Sequence, residues 1–441
     1  MSASTSSGFL DRFFKLTENG TDVKTEIIAG LTTFLTMCYI LIVNPSILEL
    51  AGMEHSAVFV ATCLAAALGS AMMGIIANYP IALAPGMGLN AYFTFTVVKG
   101  MGISWQIALG CVFFSGILFI IFSCFKIREA LINALPQSLK FSIAAGIGLF
   151  LGLIGLKSAG IVVANPETYI TLGDLTSAPV LFAIAGFFLI IALDSFKIKG
   201  AVIIGILAVT FVAIITGHAK FYGIVSALPS LEPTFMQMDL SGALNASMVS
   251  IIFVFFFVDL FDSSGTLMAV ANRAGLLQNG KLPRLDKALL ADSSAIVVGA
   301  ALGTSSTLAY VESAAGAAVG GRTGLTAVTV ALLFLACLWF SPLAASVPAY
   351  ATAPALIYVA ILMGRGFLEI DWEDMTEAAP AFITAITMPF TYSIANGIAC
   401  GFISYTVIKL LSGRYKDVTP TVFVVSVLWV IKFTVIDHIA H

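Results

Sequence analysis

The chain has little charge for its length. Of its 441 residues, 10% are charged and 59% are hydrophobic. A soluble core cannot cover so many apolar side chains, so the composition excludes a soluble globular protein and predicts a protein that crosses a membrane many times. The first 19 residues are polar and rich in serine, and no apolar stretch precedes a cleavage site there. We therefore expect a short cytoplasmic tail and not a signal peptide.

Three kinds of chemistry also lack their usual residues. The six cysteines lie in apolar segments without paired spacing, so the sequence predicts neither a disulfide framework nor a metal site. The chain has no Gly-x-x-x-x-Gly-Lys run followed by Ser or Thr, which argues against ATP as the energy source. The histidines lie outside the deep apolar segments, which argues against a histidine proton relay; they are His55, His218, His438 and His441. We expect no cofactor, no metal and no nucleic-acid partner.

The apolar runs predict about fourteen membrane segments. They cover residues 26–46, 56–78, 81–98, 104–125, 136–157, 179–194, 200–216, 244–270, 287–302, 303–320, 323–341, 344–364, 378–394 and 396–412. A cytoplasmic N-terminus places 17 of the 21 Lys and Arg residues in cytoplasmic stretches, and Lys99, Lys157 and Lys220 outside. The positive-inside rule therefore favours this orientation. A further apolar run, 418–436, carries Lys432 and is interpreted as re-entrant or interfacial.

Segments three and ten differ from the others because they are short and interrupted. The stretch 79–90 contains Pro80, Pro85 and two glycines, and the stretch 303–312 is rich in Ser, Thr and Gly. Backbone polar groups must be satisfied inside hydrocarbon, so both stretches predict extended backbone followed by a half-helix. Each is the third segment of its half of the chain, and the two are seven segments apart. Because seven is odd, the two halves would cross the membrane in opposite directions, which predicts two inverted repeats. The expected divisions are a tail 1–25, a first seven-helix repeat 26–216, an extracytoplasmic linker 217–243, a second repeat 244–412 and a C-terminal segment 413–441.

Three carboxylates lie inside long apolar runs. Nineteen uncharged residues, 240–258, precede Asp259, and nineteen more, 293–311, precede Glu312. An acid at the bilayer centre costs about 2.5 to 3.5 kcal/mol, so such residues indicate a site that handles a substrate or a proton. Asp262 follows Asp259 by three residues and lies on the same helical face. Two ionised carboxylates repel at this distance in a low-dielectric cavity, so the pair can share one proton.

Several separated motifs share a family pattern. They are 26–37 with Asn44-Pro45, 83–91, 260–266, and 310–316 followed by 320–327. Together they resemble the adenine/guanine/hypoxanthine permeases of the nucleobase-ascorbate transporter superfamily, and 84–90 is most similar to the adenine branch. The resemblance implies proton-coupled import of a purine nucleobase, most of all adenine, across the cell (inner) membrane. It implies an all-α fold of two inverted seven-helix repeats, with a core domain of segments one to four and eight to eleven, a gate domain of the others, and a homodimer.

The resemblance also implies roles for individual residues. Asn90, Asp262 and Glu312 would bind the substrate, and Asp259, Asp262 and Glu312 would couple transport to protons. Carboxylates accept hydrogen bonds from purine N–H and amino groups, whereas a carboxamide both donates and accepts. Each role has a structural alternative: the acids could hold a broken helix together, and Asn90 could cap its half-helix.

Other functions stay open on the sequence alone. A guanine/hypoxanthine permease or another nucleobase permease would share the same motifs. A channel or anion exchanger of the same fold is a further alternative, although an anion site favours a cation or bare helix termini over Asp262 and Glu312. An intramembrane aspartyl protease needs two aspartates on facing helices, whereas Asp259 and Asp262 share one helix. Coupling to sodium instead of protons is also not excluded.

Overall fold

The computed structural model describes residues 8–124, 136–277, 282–431 and 433–434, and most of them are helical. Residues 1–7 of the expected tail, Lys432, and residues 435–441 of the C-terminal segment with His438 and His441 lie outside the described residues. The α-helices are α1 Phe9–Phe14, α2 Val23–Met37, α3 Ile40–Glu49, α4 His55–Met72, α5 Met87–Ala91, α6 Trp105–Cys124, α7 Gln137–Ser158, α8 Ala178–Ser195, α9 Ala201–Ile215, α10 Leu240–Ala243, α11 Val249–Arg273, α12 Leu285–Leu302, α13 Ser313–Ala318, α14 Gly324–Ala336, α15 Ser341–Ala345, α16 Ala349–Gly364, α17 Met375–Thr391, α18 Ile394–Leu411 and α19 Pro420–Ile431. The strands are β1 Leu83–Pro85, β2 Val162–Asn165, β3 Tyr169–Leu172 and β4 Thr307–Ala309.

The helices confirm the prediction of a multi-pass helical membrane protein. Within the described residues, nine helices are long and apolar enough to cross a bilayer. They are Val23–Glu49, His55–Ala77, Trp105–Ser123, Gln137–Ser158, Ala178–Ser195, Val249–Arg273, Gly324–Ala345, Ala349–Glu369 and Ile394–Leu411. At about 1.5 Å per residue, α19 alone is too short to cross a bilayer.

Two short extended stretches pair with each other in the interior. Strand β1 runs antiparallel to β4 with Leu83 opposite Ala309, and all six residues of the two strands are buried. The ladder continues on both sides, since the Gly86 N–H donates to the Ser306 carbonyl and the Tyr310 N–H to the Ala82 carbonyl. Each strand is followed by a short helix, α5 or α13. The pairing satisfies backbone groups that would otherwise be buried without partners.

Side chains from neighbouring helices satisfy the outer edges of this small sheet. On the β1 edge, the Ser70 hydroxyl of α4 accepts from the Leu83 N–H at 2.9 Å and donates to its carbonyl at 3.1 Å. On the β4 edge, the Asp292 carboxylate of α12 accepts from the Ala309 N–H at 3.1 Å. These bonds satisfy several outward-facing backbone groups of the sheet, which lowers the cost of burying it inside an apolar bundle.

The longer helices pack as two bundles. In one, α14 packs against α2 and α4, while α12 packs against α4 and α6. In the other, α7 packs against α16 and α17, and α17 packs against α18. The second bundle buries the charged side chain of Lys409 in α18, whose Nζ lies 2.5 Å from Oε1 of Glu377 in α17. The hydroxyl of Ser138 in α7 donates to Oε2 of the same carboxylate. Buried charge is tolerated here because it is paired.

Some local features were not predicted from the sequence. Strands β2 and β3 form an antiparallel hairpin between predicted segments 136–157 and 179–194. Its turn is stabilised by Oδ1 of Asn165, which accepts from the N–H groups of Glu167 and Thr168. Segment one is a single helix, Val23–Glu49, as its continuous apolar run predicted. Cys38 and Tyr39, between α2 and α3, keep helical backbone angles, so this junction is a local tightening of the helix.

Glu26 connects two helices of the first bundle. Its side chain is fully buried in α2. Its carboxylate accepts from the N–H groups of Arg322, Thr323 and Thr326 and from the Thr326 hydroxyl, at distances of 2.6 to 3.3 Å. The first N–H groups of a helix have no acceptor within that helix, so this acid satisfies the beginning of α14.

Replacing Glu26 by alanine should destabilise the protein strongly. The change leaves several buried N–H groups without their acceptor, and each orphaned donor costs about 1 to 3 kcal/mol. We expect a lower melting temperature of the detergent-solubilised protein and less protein in the membrane. Glu54→Ala is the matched control, because Glu54 caps α4 through the Ser56 and Ala57 N–H groups but is exposed. Equal losses in the two variants would contradict this account of Glu26.

Candidate functional site

A cavity of about 1320 Å³ opens between the two bundles. Its lining includes the exposed side chains of Lys197 and Arg365 near the opening. Deeper residues of the lining include Tyr39, Asp262 and Glu312, which are buried or half-buried. The cavity therefore leads from a basic opening to two carboxylates in the interior.

Glu312 lies at the junction of extended and helical backbone. It follows β4 closely and immediately precedes α13, yet its carboxylate does not cap that helix. Instead, Oε1 accepts a hydrogen bond from the Tyr39 hydroxyl at 2.7 Å. Because the carboxylate is turned toward the cavity and not toward its own helix, it is available to a ligand.

Asp262 reaches the same cavity from α11. It lines the cavity together with Ser264, Gly265 and Thr266 of the same helix. The carboxylates of Asp292 and Glu312 are near enough to act on it electrostatically. The fold thus brings together two of the residues that the sequence marked as substrate-binding, although they are 50 positions apart in the chain.

Asn90 and Asp259 lie elsewhere, against the stretch that leads into β4. Both are fully buried, and neither lines the cavity. Oδ1 of Asn90 accepts from the Ser305 hydroxyl, and Oδ1 of Asp259 accepts from the Ser306 hydroxyl, the latter at 2.6 Å. Asp259 and Asp262 are three residues apart on one helix, but their surroundings differ: one carboxylate contacts a serine and the other borders the cavity.

The stretch 304–306 is held by three different elements. Nδ2 of Asn44 in α3 donates to the Thr304 hydroxyl at 2.9 Å. The next two hydroxyls, of Ser305 and Ser306, bond to Asn90 of α5 and Asp259 of α11. Successive residues are thus fixed by side chains from separate parts of the chain. This arrangement sets the position of β4 and, through it, of Glu312.

Sequence reasoning missed two residues beside the site. Tyr39 binds Glu312, and its one sequence signal is its place shortly before the Asn44-Pro45 pair. Asp292 is fully buried in α12 and holds the Ala309 N–H; the sequence placed it in segment nine, 287–302, without a role. Hydropathy cannot separate a buried acid near a helix end from an exposed one.

The described residues contain no group of three or more His, Cys, Asp or Glu side chains placed to hold a metal ion. The two acids of the cavity lining act as hydrogen-bond acceptors. Asp262 and Glu312 offer carboxylate oxygens to a ligand that carries N–H groups.

Solved structures share this fold at low sequence identity. The transmembrane domain of a cyanobacterial bicarbonate transporter, BicA, matches with a TM-score of 0.63 and 16% identity, over 86% of this chain and 97% of that domain. The murine anion transporter Slc26a9 in its inward-facing state matches with a TM-score of 0.66 and 10% identity, over 94% of this chain and 74% of the other. These likenesses show a transporter fold.

Sequence relatives are much closer. The adenine permeases AdeP and AdeQ of Escherichia coli (strain K12) are 52% and 50% identical to this chain, each over 98% of it and over 97% and 98% of their own lengths. The guanine/hypoxanthine permease PbuO of Bacillus subtilis (strain 168) is 45% identical over 96% of this chain and 100% of its own. The relatives are permeases and not enzymes, which agrees with the family resemblance of the motifs. Since residues 24–400 also match the model of the Permease family, the chain belongs to that family.

Proposed function

We propose that the protein is a proton-coupled symporter that imports purine nucleobases, adenine above all, across the cell (inner) membrane. The observation that carries this proposal is the pair of carboxylates, Asp262 and Glu312, at the inner part of one cavity. Purines present ring N–H and amino groups, which are the donors that carboxylates accept. The two adenine permeases among the relatives are more similar to the chain than the guanine/hypoxanthine permease PbuO, which favours adenine.

An anion exchanger is the competing function from a different class. The structural neighbours are a bicarbonate transporter and an anion transporter, but at 16% and 10% identity they support the fold alone. Two carboxylates at the inner part of the cavity would repel an anion in a low-dielectric site. A nucleobase with N–H donors fits this lining better than an anion does.

The cavity also supports a direction of access. Its opening carries exposed basic residues, including Lys197, Lys199 and Arg365, and basic residues concentrate on the cytoplasmic side of membrane proteins. We therefore assign this opening to the cytoplasm, with a cytoplasmic N-terminus. In this assignment, the bundle that carries Asp262 and Glu312 is the core domain and the other bundle is the gate domain.

The opposite end of the gate domain is closed against the core domain. Gln137 to Ile147 contribute to the cavity lining, whereas Phe150 and Lys157, further along α7, contact the ring of Tyr392 within the gate domain. The Tyr392 carbonyl in turn accepts from the hydroxyl of Thr96, in segment three of the core domain, at 2.9 Å. Contacts on one side and a cavity on the other are what an alternating-access transporter has when it is open to one side.

Proton coupling would rest on carboxylates. Asp259, Asp262 and Glu312 lie within or beside the site, and each can exist charged or neutral. Asp262 borders the cavity and can exchange a proton with it, whereas Asp259 is reached only through the core domain. We propose that these acids take up a proton from outside and release it with the base inside.

Purine uptake should depend on both cavity acids. We expect Asp262→Asn and Glu312→Gln each to reduce uptake of labelled adenine about ten-fold to one-hundred-fold, since each removes a charged acceptor worth about 1.5 to 3 kcal/mol in a buried site. The assay uses cells without purine permeases, offered labelled adenine, guanine, hypoxanthine or uracil, with each variant normalised to its amount in the membrane. Glu167→Gln, in the exposed hairpin, is the control. Wild-type uptake in either cavity variant would refute the site.

Accumulation should follow the proton gradient. Uptake is expected to rise as the external solution becomes more acidic and to collapse when a protonophore is added, because the titratable groups of the site are acids. Asp259→Asn should lower the accumulation ratio more than it lowers adenine binding. Accumulation that follows a sodium gradient and ignores the protonophore would contradict proton coupling.

Asn90 lies outside the cavity lining, but its Nδ2 has no hydrogen-bond partner among the described residues, so we propose that this donor serves the base in addition to the bond from Ser305 to Oδ1. Losing a buried partner costs on the order of 1 to 3 kcal/mol, so Asn90→Ala should raise the apparent KM for adenine about ten-fold and change the ranking among purines. Ser305→Ala is the matched control, because it removes the hydroxyl that bonds Asn90 and leaves the carboxamide in place. Competition of labelled adenine by unlabelled purines measures both effects. An unchanged KM and ranking in Asn90→Ala would restrict Asn90 to a structural role.

A further inference from the structure

Tyr39 links the helix of segment one to the carboxylate of Glu312. It lies at the junction of α2 and α3, within the continuous span Val23–Glu49. Its side chain is 2% exposed, and it also borders the cavity. Its hydroxyl donates to Oε1 of Glu312 at 2.7 Å across 273 positions of the chain.

We propose that Tyr39 is a positioning residue for substrate binding: it holds Oε1 of Glu312 and thereby fixes Oε2 as the acceptor for one N–H of the base. This inference rests on the proposed function. A carboxylate has two oxygens, and without a partner it rotates between several orientations. A donor on one oxygen removes that freedom before the ligand arrives, which strengthens binding by preorganisation.

The surroundings explain why Tyr39 matters for the orientation of this carboxylate. Glu312 does not cap its own helix α13, and besides its own backbone N–H, the group that holds its carboxylate is the Tyr39 hydroxyl of another helix. Asp262, the other cavity acid, is on a different helix and carries like charge, so it cannot supply a donor while ionised. Within the described part of the chain, the Tyr39 hydroxyl is the side-chain donor to this carboxylate.

The Tyr39 hydroxyl should affect the affinity for the base and not the proton-driven accumulation of the base. Removing the Tyr39 hydroxyl should weaken binding of the base, since Glu312 must then be ordered at the expense of ligand affinity. The maximal rate and the accumulation ratio at saturating adenine should change little, because the acids that carry protons remain. A tyrosine that only fills space would behave differently: its loss would lower the amount of folded protein and leave KM alone.

The test uses Tyr39→Phe, Glu312→Asp and the double variant in cells that lack purine permeases. Glu312→Asp shortens the side chain by one methylene, which withdraws the carboxylate from the Tyr39 hydroxyl and breaks the same hydrogen bond. We expect each single variant to raise the KM for adenine about ten-fold, with Vmax per folded transporter within about two-fold for Tyr39→Phe. The double variant should be no worse than the worse single variant, because both remove one interaction.

Tyr350→Phe is the control, since it makes the same chemical change at a hydroxyl that donates to the His218 carbonyl, outside the cavity lining. It should leave KM unchanged. A wild-type KM in Tyr39→Phe, a lower amount of protein with unchanged KM, or effects that multiply in the double variant would overturn the proposal. If Tyr39→Phe does not reach the membrane, a wild-type KM in Glu312→Asp overturns it equally. Absence of nucleobase uptake by the wild-type protein would instead refute the proposed function.

Discussion

The arrangement of the site depends on satisfying extended backbone inside an apolar bundle. Each buried N–H or C=O without a partner costs about as much as several buried methylene groups contribute. Strands β1 and β4 meet much of this requirement by pairing with each other, and Ser70 and Asp292 bond to Leu83 and Ala309 on their outer edges. Once the sheet is fixed, the two short helices that follow it must begin in the middle of the protein. That is why Glu312 comes to lie in the interior.

Polar side chains then serve two separate purposes. Asn44, Asn90 and Asp259 contact successive hydroxyls of the stretch before β4. Asp262 and Glu312 border a cavity instead. The first set determines where the backbone lies, and the second set faces the cavity in which we propose that the base binds. Burying an acid in a membrane protein costs free energy. The proposed binding site would account for that cost, because a ligand with N–H groups requires acceptors.

Much of this could be predicted from the sequence, because hydropathy and helix breakers are local signals. Long apolar runs predicted the membrane helices, and Pro80, Pro85 and the Ser/Thr-rich stretch at 303–312 predicted irregular backbone where β1 and β4 lie. Pairing between those strands was not predicted, since it joins residues more than 220 positions apart and three-residue strands leave no periodic pattern. The Tyr39 to Glu312 bond and the burial of Asp292 depend on the same long-range packing. Periodicity placed Asp259 beside Asp262, but only the packing of α11 shows that one faces Ser306 and the other the cavity.

The central claim is that a purine nucleobase binds between Asp262 and Glu312. An experimental structure of the purified protein with adenine would test it most directly. We expect the base in the cavity, with its N–H groups about 3 Å from oxygens of the two carboxylates. Adenine bound away from both acids, or an anion held at that position in its place, would contradict the account.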